Sequence, residues 1–144
     1  MSAYEDKREK DREALDEKFK AAAGPLSERL MEEIKKAAGV KVKKSVRDGS
    51  HEINLVIDDP SISINIEHDW GTGRNHWSHL PLGTPKILLN LGHPYGHGSK
   101  SWYRPGKDGT FNIEKIVKKV AEKVEWCEQW QEATRRNENE KKEN

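Results

Sequence analysis

The sequence has few of the features that mark secreted, membrane-spanning or disulfide-bonded proteins. Its 144 residues include one cysteine, Cys127, so no disulfide can form within the chain. No stretch approaches the roughly 20 apolar residues of a membrane-spanning helix, and the first residues lack the apolar segment of a signal peptide. These absences predict an intracellular, cytoplasmic protein.

An excess of charge of one sign is also missing, and so are the common catalytic motifs. The formal net charge is +1, which argues against a strongly basic coat that binds nucleic acid without specificity. The glycine-rich stretches 71–73 and 92–98 match neither a dinucleotide-binding loop nor a phosphate-binding P-loop. No Gly-x-Ser-x-Gly nucleophile motif occurs. An enzyme is therefore the less favoured class.

The apolar residues, although few, are concentrated in the middle of the chain. All Leu, Ile, Val and Phe residues except Leu15 and Phe19 lie between Leu26 and Val124. This distribution predicts a charged helical lead-in over 1–24, a single domain over 25–130 and a charged tail over 131–144. Gly24-Pro25 is expected to end the first helix, and Pro25 to begin a second helix that stops at Gly39.

After Gly39 the apolar pattern changes from a helical period to a period of two. Alternation over 40–47, 53–57 and 62–66, with turn residues between these segments, predicts three antiparallel strands, and 86–91 a fourth. A last helix is expected to begin after the cap residue Asn112. The predicted fold is α+β: an antiparallel meander sheet of three to four strands, flanked by N- and C-terminal helices with charged ends.

Segment 67–109 differs in composition from its surroundings and is the first place to look for function. It holds eight of the eleven glycines and five of the six histidines. Long segments without regular structure inside a compact domain are often functional. Aromatic rings can stack on bases while Lys and Arg hold phosphates. The candidate binding residues are Tyr95, Lys100, Trp102, Tyr103, Arg104 and Lys107, together with Lys41, Lys43 and Arg47 on the first strand.

The same segment contains histidines at spacings that metal sites use. His76 and His79 are three residues apart, and His93 and His97 are four apart. Neutral imidazoles bind Zn²⁺, and three protein ligands with one water would form a hydrolytic site. The alternative interpretation is that these histidines bind no metal and hydrogen-bond to backbone carbonyls, so the cofactor prediction is none, or zinc.

Two tryptophans on the last predicted helix, Trp126 and Trp130, are expected to close the end of the core; if exposed, they would mark a partner surface. The sequence as a whole favours a non-catalytic binding or regulatory module that engages nucleic acid or a protein that handles it. Two alternatives stay open: a small histidine-site metal-dependent hydrolase, and a module that binds or inhibits another protein. A homo-oligomer is possible in each case.

Overall fold

The computed structural model describes residues 2–47, 51–69, 81, 83–92 and 98–143, and it has the predicted α+β architecture. Five strands lie between two long helices, one more strand than the sequence analysis expected. The elements in chain order are α1 (Ala3–Ala38), β1 (Lys43–Arg47), β2 (Glu52–Ile57), β3 (Ile62–His68), β4 (Pro85–Leu91), β5 (Ser99–Tyr103) and α2 (Ile113–Glu143).

The strands form one antiparallel sheet in the order β1-β2-β3-β4-β5, so each strand pairs with its neighbour in the chain. This is the meander predicted from the alternating segments and the turns between them. The turn between β2 and β3 contains a cis Asp59–Pro60 peptide bond.

Both helices pack on the same face of the sheet. Alternate residues of β2, β3 and β4 are fully buried, and most of them are isoleucines, whose branched side chains suit a pleated surface. Leu30 and Ile34 of α1 and Ile116 and Val120 of α2 join the same apolar cluster. The domain is therefore two layers thick, with helices on one side of the sheet.

The predicted break at Gly24-Pro25 is wrong, because α1 continues through both residues. Phe19 and Ala23 before the proline and Leu30 after it are buried in one core. A proline inside a helix costs about 3 kcal/mol, whereas each large apolar side chain contributes about 1.5–3 kcal/mol when buried. Burial on both sides of Pro25 therefore outweighs the cost of keeping it inside the helix.

The first strand is more exposed than its alternating pattern predicts. Every residue of β1 is exposed, including Val46, whose side chain is 48% accessible although it lies opposite the buried Ile53. The reason is position, since β1 is the outermost strand, at the margin of the helical layer, which it meets through the Lys44 ammonium and Glu28 of α1 at 2.8 Å. Val40 and Val42 precede the strand and pack against the core.

Helix α2 begins as predicted, and the backbone N–H of Lys115 donates to the Asn112 side chain over 3.2 Å. It continues to Glu143, so the described part of the predicted tail is exposed helix. Neither helix in the described ranges is long and apolar enough to cross a membrane.

The prediction that both tryptophans of α2 close the core is wrong for Trp126. Val120, Val124 and Cys127 occupy the inward positions of the helix, and Trp126 is turned away from them with 42% of its surface exposed. Its ring lies 4.7 Å from Lys123 Nζ. Trp130 is half-buried and lines a cavity of about 230 Å³ together with Cys127 and Pro60.

Candidate functional site

The face of the sheet that points away from the helices carries a set of polar, basic and aromatic side chains. Successive side chains of a strand point to opposite faces, so each strand gives its apolar residues to the core and the residues between them to this second face. Among the described elements, no helix packs on it. We call it the open face; its residues are Lys43, Ser45, Arg47, Glu52, Asn54, Val56, Ser63, Asn65, Glu67, Lys86, Leu88, Asn90, Lys100 and Trp102.

The strand register sorts these side chains into rows that run across the sheet. The first, which we call the lysine row, consists of Lys43, Val56, Ser63, Asn90 and Lys100, one residue from each strand. Four steps of about 4.8 Å separate β1 from β5, so the two lysines stand about 19 Å apart at the ends of the row. The row contains no acidic residue.

The Lys43 ammonium contacts the carboxylate of Asp58, which lies in the turn after β2, over 2.6 Å. This hydrogen bond raises the pKa of Lys43 above its usual value. Both side chains are more than half exposed, and an ion pair in that setting is weak and screened by salt. Lys43 therefore stays charged, and a competing anion can replace Asp58.

The second row, which we call the tryptophan row, consists of Ser45, Asn54, Asn65, Leu88 and Trp102. Trp102 is 48% exposed at the β5 end of the row. Asn54 and Asn65 lie directly opposite each other in the middle, and their Oδ1 atoms are buried and accept no hydrogen bond from any residue that the structure describes. The row thus combines an accessible aromatic ring with amide groups.

The third row carries balanced charge. It consists of Arg47, Glu52, Glu67 and Lys86, in which each carboxylate lies opposite one basic residue. The two glutamates are also direct neighbours, and their repulsion is offset by the basic residue on either side. Lys86 Nζ lies 4.4 Å from the centroid of the Trp102 ring, close enough for a cation–π interaction. The third row is therefore close to neutral, and Lys43 of the lysine row is paired with Asp58. Lys100, opposite Asn90, is the open-face cation that no carboxylate of the described residues pairs with.

Four of the nine binding residues expected from the sequence share the open face: Lys43, Arg47, Lys100 and Trp102. Tyr103 points to the opposite face, packs against the core and has Lys119 Nζ 5.4 Å from its ring. The Arg104 Nε donates to Asp69 Oδ2 over 2.9 Å, and Asp69 is almost fully buried. The remaining candidates lie elsewhere: Lys41 before β1, Lys107 in the turn 106–109, and Tyr95 outside the described residues.

The zinc prediction is not tested by the structure. His76, His79, His93 and His97 all lie outside the described residues. Within the described ranges, no three His, Cys, Asp or Glu side chains are grouped so that they suit a metal ion.

Two other histidines lie between α1 and the end of the sheet and have a packing role. The His51 and His68 rings are 6.3 Å apart, and the Phe19 ring lies about equally close to both. The backbone N–H of Gly83 donates to His68 Nε2 over 3.3 Å. Burial, and then the neighbouring His51, lower the pKa of His68 below its usual value. The neutral imidazole is therefore the form that this site stabilises.

Lys86, Asn54 and Asn65 were not among the residues expected at the site. Asn54 and Asn65 occupy polar positions between apolar residues of predicted strands, and Lys86 begins one, so the sequence does indicate that these side chains leave the core. The sequence does not show which strands are neighbours or in what register. That information places Lys86 beside Trp102 and Asn54 opposite Asn65.

Comparison of the chain with protein-family models, curated proteins and solved structures found no match in any of the three.

Proposed function

We propose that the open face binds nucleic acid and that the protein is a non-catalytic binding module. One observation carries the proposal: Lys43 and Lys100 end a row that has no acidic residue, and the exposed Trp102 lies in the adjacent row. Lysines on a solvated surface attract phosphates, and an exposed tryptophan offers a surface on which a base can stack.

The distribution of charge supports the lysine row as the phosphate contact. Arg47 and Lys86 lie opposite carboxylates in the third row, so their charge is largely compensated. The carboxylate beside Lys43 is in an exposed turn, where a phosphate can compete with it. A phosphate backbone is therefore favoured along the lysine row and repelled near the two glutamates.

The test compares two double variants that remove the same charge. Lys43→Ala with Lys100→Ala removes both ends of the lysine row. Lys115→Ala with Lys118→Ala removes two exposed lysines from α2, on the other side of the sheet. Binding of single-stranded and duplex oligonucleotides is measured by fluorescence anisotropy at several salt concentrations. The open-face variant is expected to bind more weakly. The slope of log binding constant against log salt concentration should become shallower by about 1.4 for single strands or 1.8 for duplex.

The α2 variant is the control for net charge. It is expected to keep nearly the affinity and salt slope of the unaltered protein. Equal losses in the two double variants, or no salt-dependent binding to either form of nucleic acid, would overturn the proposal.

Two interpretations of the sequence stay predictions beside this proposal. One is a zinc-dependent hydrolase built on the four histidines outside the described residues; the other is the cytoplasmic location.

One further observation supports a second candidate function, the binding of a protein partner: a groove of about 790 Å³ lies between the end of α1 and the segment before β1. Met31, Val40 and Val42 line this groove, which lies away from the open face.

A further inference from the structure

We infer that the open face selects single-stranded over duplex nucleic acid, with the sugar–phosphate backbone over the lysine row and the bases over the tryptophan row. This inference rests on the proposed function and adds the form of the ligand and its orientation on the sheet. The two rows are parallel and adjacent, and two residues along a strand separate them by about 7 Å. That separation is comparable to the span of a nucleotide from its phosphate to its base.

The shape of the open face disfavours a duplex. Five strands span about 19 Å, whereas the major groove is about 12 Å wide and admits a helix or a two-stranded ribbon. A duplex would therefore rest on the outer lysines through its phosphates. Its paired bases would stay stacked on each other and would not reach Trp102 or the asparagine amides.

A single strand can use both rows at once. An unpaired base that stacks on the exposed part of Trp102 would share the ring with, or displace, the Lys86 ammonium, which lies 4.4 Å from the ring centroid. The amide groups of Asn54 and Asn65 follow in the same row, and amides can hydrogen-bond with the edges of unpaired bases. Their Oδ1 atoms are buried and have no donor among the described residues, so a base amino group would reach them only after the two side chains turn outward.

The experiment compares a single-stranded oligonucleotide with a hairpin duplex of the same composition. Both are titrated against the unaltered protein and against Trp102→Ala, Trp102→Phe and Trp126→Ala. Trp126 is a matched control, since it is similarly exposed and also has a lysine over its ring, but it lies on α2. Circular dichroism of each variant checks that it is folded.

The unaltered protein is expected to bind the single strand more tightly than the hairpin. Trp102→Ala is expected to weaken single-strand binding about 5- to 140-fold, the range for loss of one stacked base. Hairpin binding should be unchanged. Trp102→Phe should retain most of the affinity because it keeps a ring, and Trp126→Ala should leave both affinities unchanged.

Several outcomes would overturn the inference. Hairpin binding as tight as single-strand binding, with no effect of Trp102→Ala, would show contact through phosphates alone. The proposed function would then still stand, provided that the lysine-row variant weakens hairpin binding. Polyglutamate added at the same concentration of negative charges as the oligonucleotide is a further competitor. If it displaces the single strand, the ligand would instead be an acidic protein. If neither nucleic acid binds, the proposed function and the inference both fail.

Discussion

Two glycines show how the same backbone angle has different consequences in different surroundings. Gly83 and Gly109 have φ values of +85° and +81°, in the left-handed region that side chains rarely adopt. A Cβ on Gly109 would meet no atom within 4 Å, but one on Gly83 would come within 3 Å of the backbone of Lys18 and Phe19. Gly83 therefore allows the segment before β4 to touch helix α1 directly.

We expect Gly83→Ala to be clearly more destabilising than Gly109→Ala. The left-handed angle costs each variant about 1–2 kcal/mol, and the clash with α1 adds about 1–3 kcal/mol at Gly83. Urea denaturation of the two variants measures the difference. Equal free energies of unfolding would show that the segment moves away from α1 at little cost.

The neutral form of His68 links the stability of the fold to pH. Burial and the nearby His51 lower its pKa in the folded protein, whereas the unfolded chain protonates near pH 6.5. Between these two values the unfolded state binds a proton that the folded state does not. The stability from neutral His68 is therefore complete above about pH 6.5 and is lost as the pH falls from there toward the folded pKa.

We expect the free energy of unfolding to decrease on acidification from pH 7.5 to 5.5, by at most about 1.4 kcal/mol per pH unit from this group. His68→Gln keeps an acceptor near the Gly83 N–H but cannot titrate, so its pH dependence should be flatter. Urea midpoints at several pH values provide the comparison. Parallel curves for the two proteins would assign the pH dependence to other groups.

At the scale of elements, α1 shows why local signals alone misplace boundaries. Its 36 residues correspond to about 54 Å of helix. Gly24 and Pro25 together form a strong sequence signal for a break, but Phe19 and Leu30 pack into one core and the helix continues through both residues. The Ser27 hydroxyl donates to the Gly24 carbonyl over 2.7 Å, whereas the carbonyl that loses its helical donor to Pro25 is that of Ala21. Tertiary packing of this kind cannot be deduced from the sequence of the helix alone.

Alanine substitutions at Gly24 in α1 and at its cap Gly39 should differ in cost. Apart from the adjacent chain, neither Gly24 nor Gly39 has an atom within 4 Å of a new Cβ, but Gly39 is the left-handed cap with φ +66°. Gly24→Ala is expected to change stability by less than about 1 kcal/mol, because the helix propensity of alanine is opposed by the clash of its Cβ with the ring of Pro25. Gly39→Ala should destabilise it by about 1–2 kcal/mol. Thermal or urea denaturation would contradict this account if Gly24→Ala destabilised the protein as much as Gly39→Ala.

Strands were predicted well where they are buried on one face and poorly where they are not. β2, β3 and β4 alternate between isoleucine or leucine and polar residues, which is the pattern of strands with one buried side. β5 was missed because Ser99 and Ser101 occupy its core-side positions, so the alternation is absent. It is an edge strand that is held by backbone hydrogen bonds to β4, and the side-chain pattern of its sequence does not indicate this pairing.

At the scale of the whole molecule, the sequence supported the fold class and the order of elements but only part of the candidate site. Lys43, Arg47, Lys100 and Trp102 were expected to bind, but the two pairs are more than 50 residues apart in the chain. Only the meander register brings β1 and β5 to opposite ends of the same rows. Tyr103 was expected to bind as one of the aromatic rings of the cluster on which a base could stack, whereas alternation along β5 puts it on the core side.

The alternation of the strands has a consequence for how readily the protein can be altered. Along β2, β3 and β4, every second residue holds the core together, and the residues between contribute little to it. Substitutions on the open face should therefore change what the protein recognises while leaving its folding almost untouched. The sheet is in this respect a natural scaffold for a combinatorial library, in which Ser45, Asn54, Asn65, Leu88 and Trp102 can be varied together on an unchanged framework.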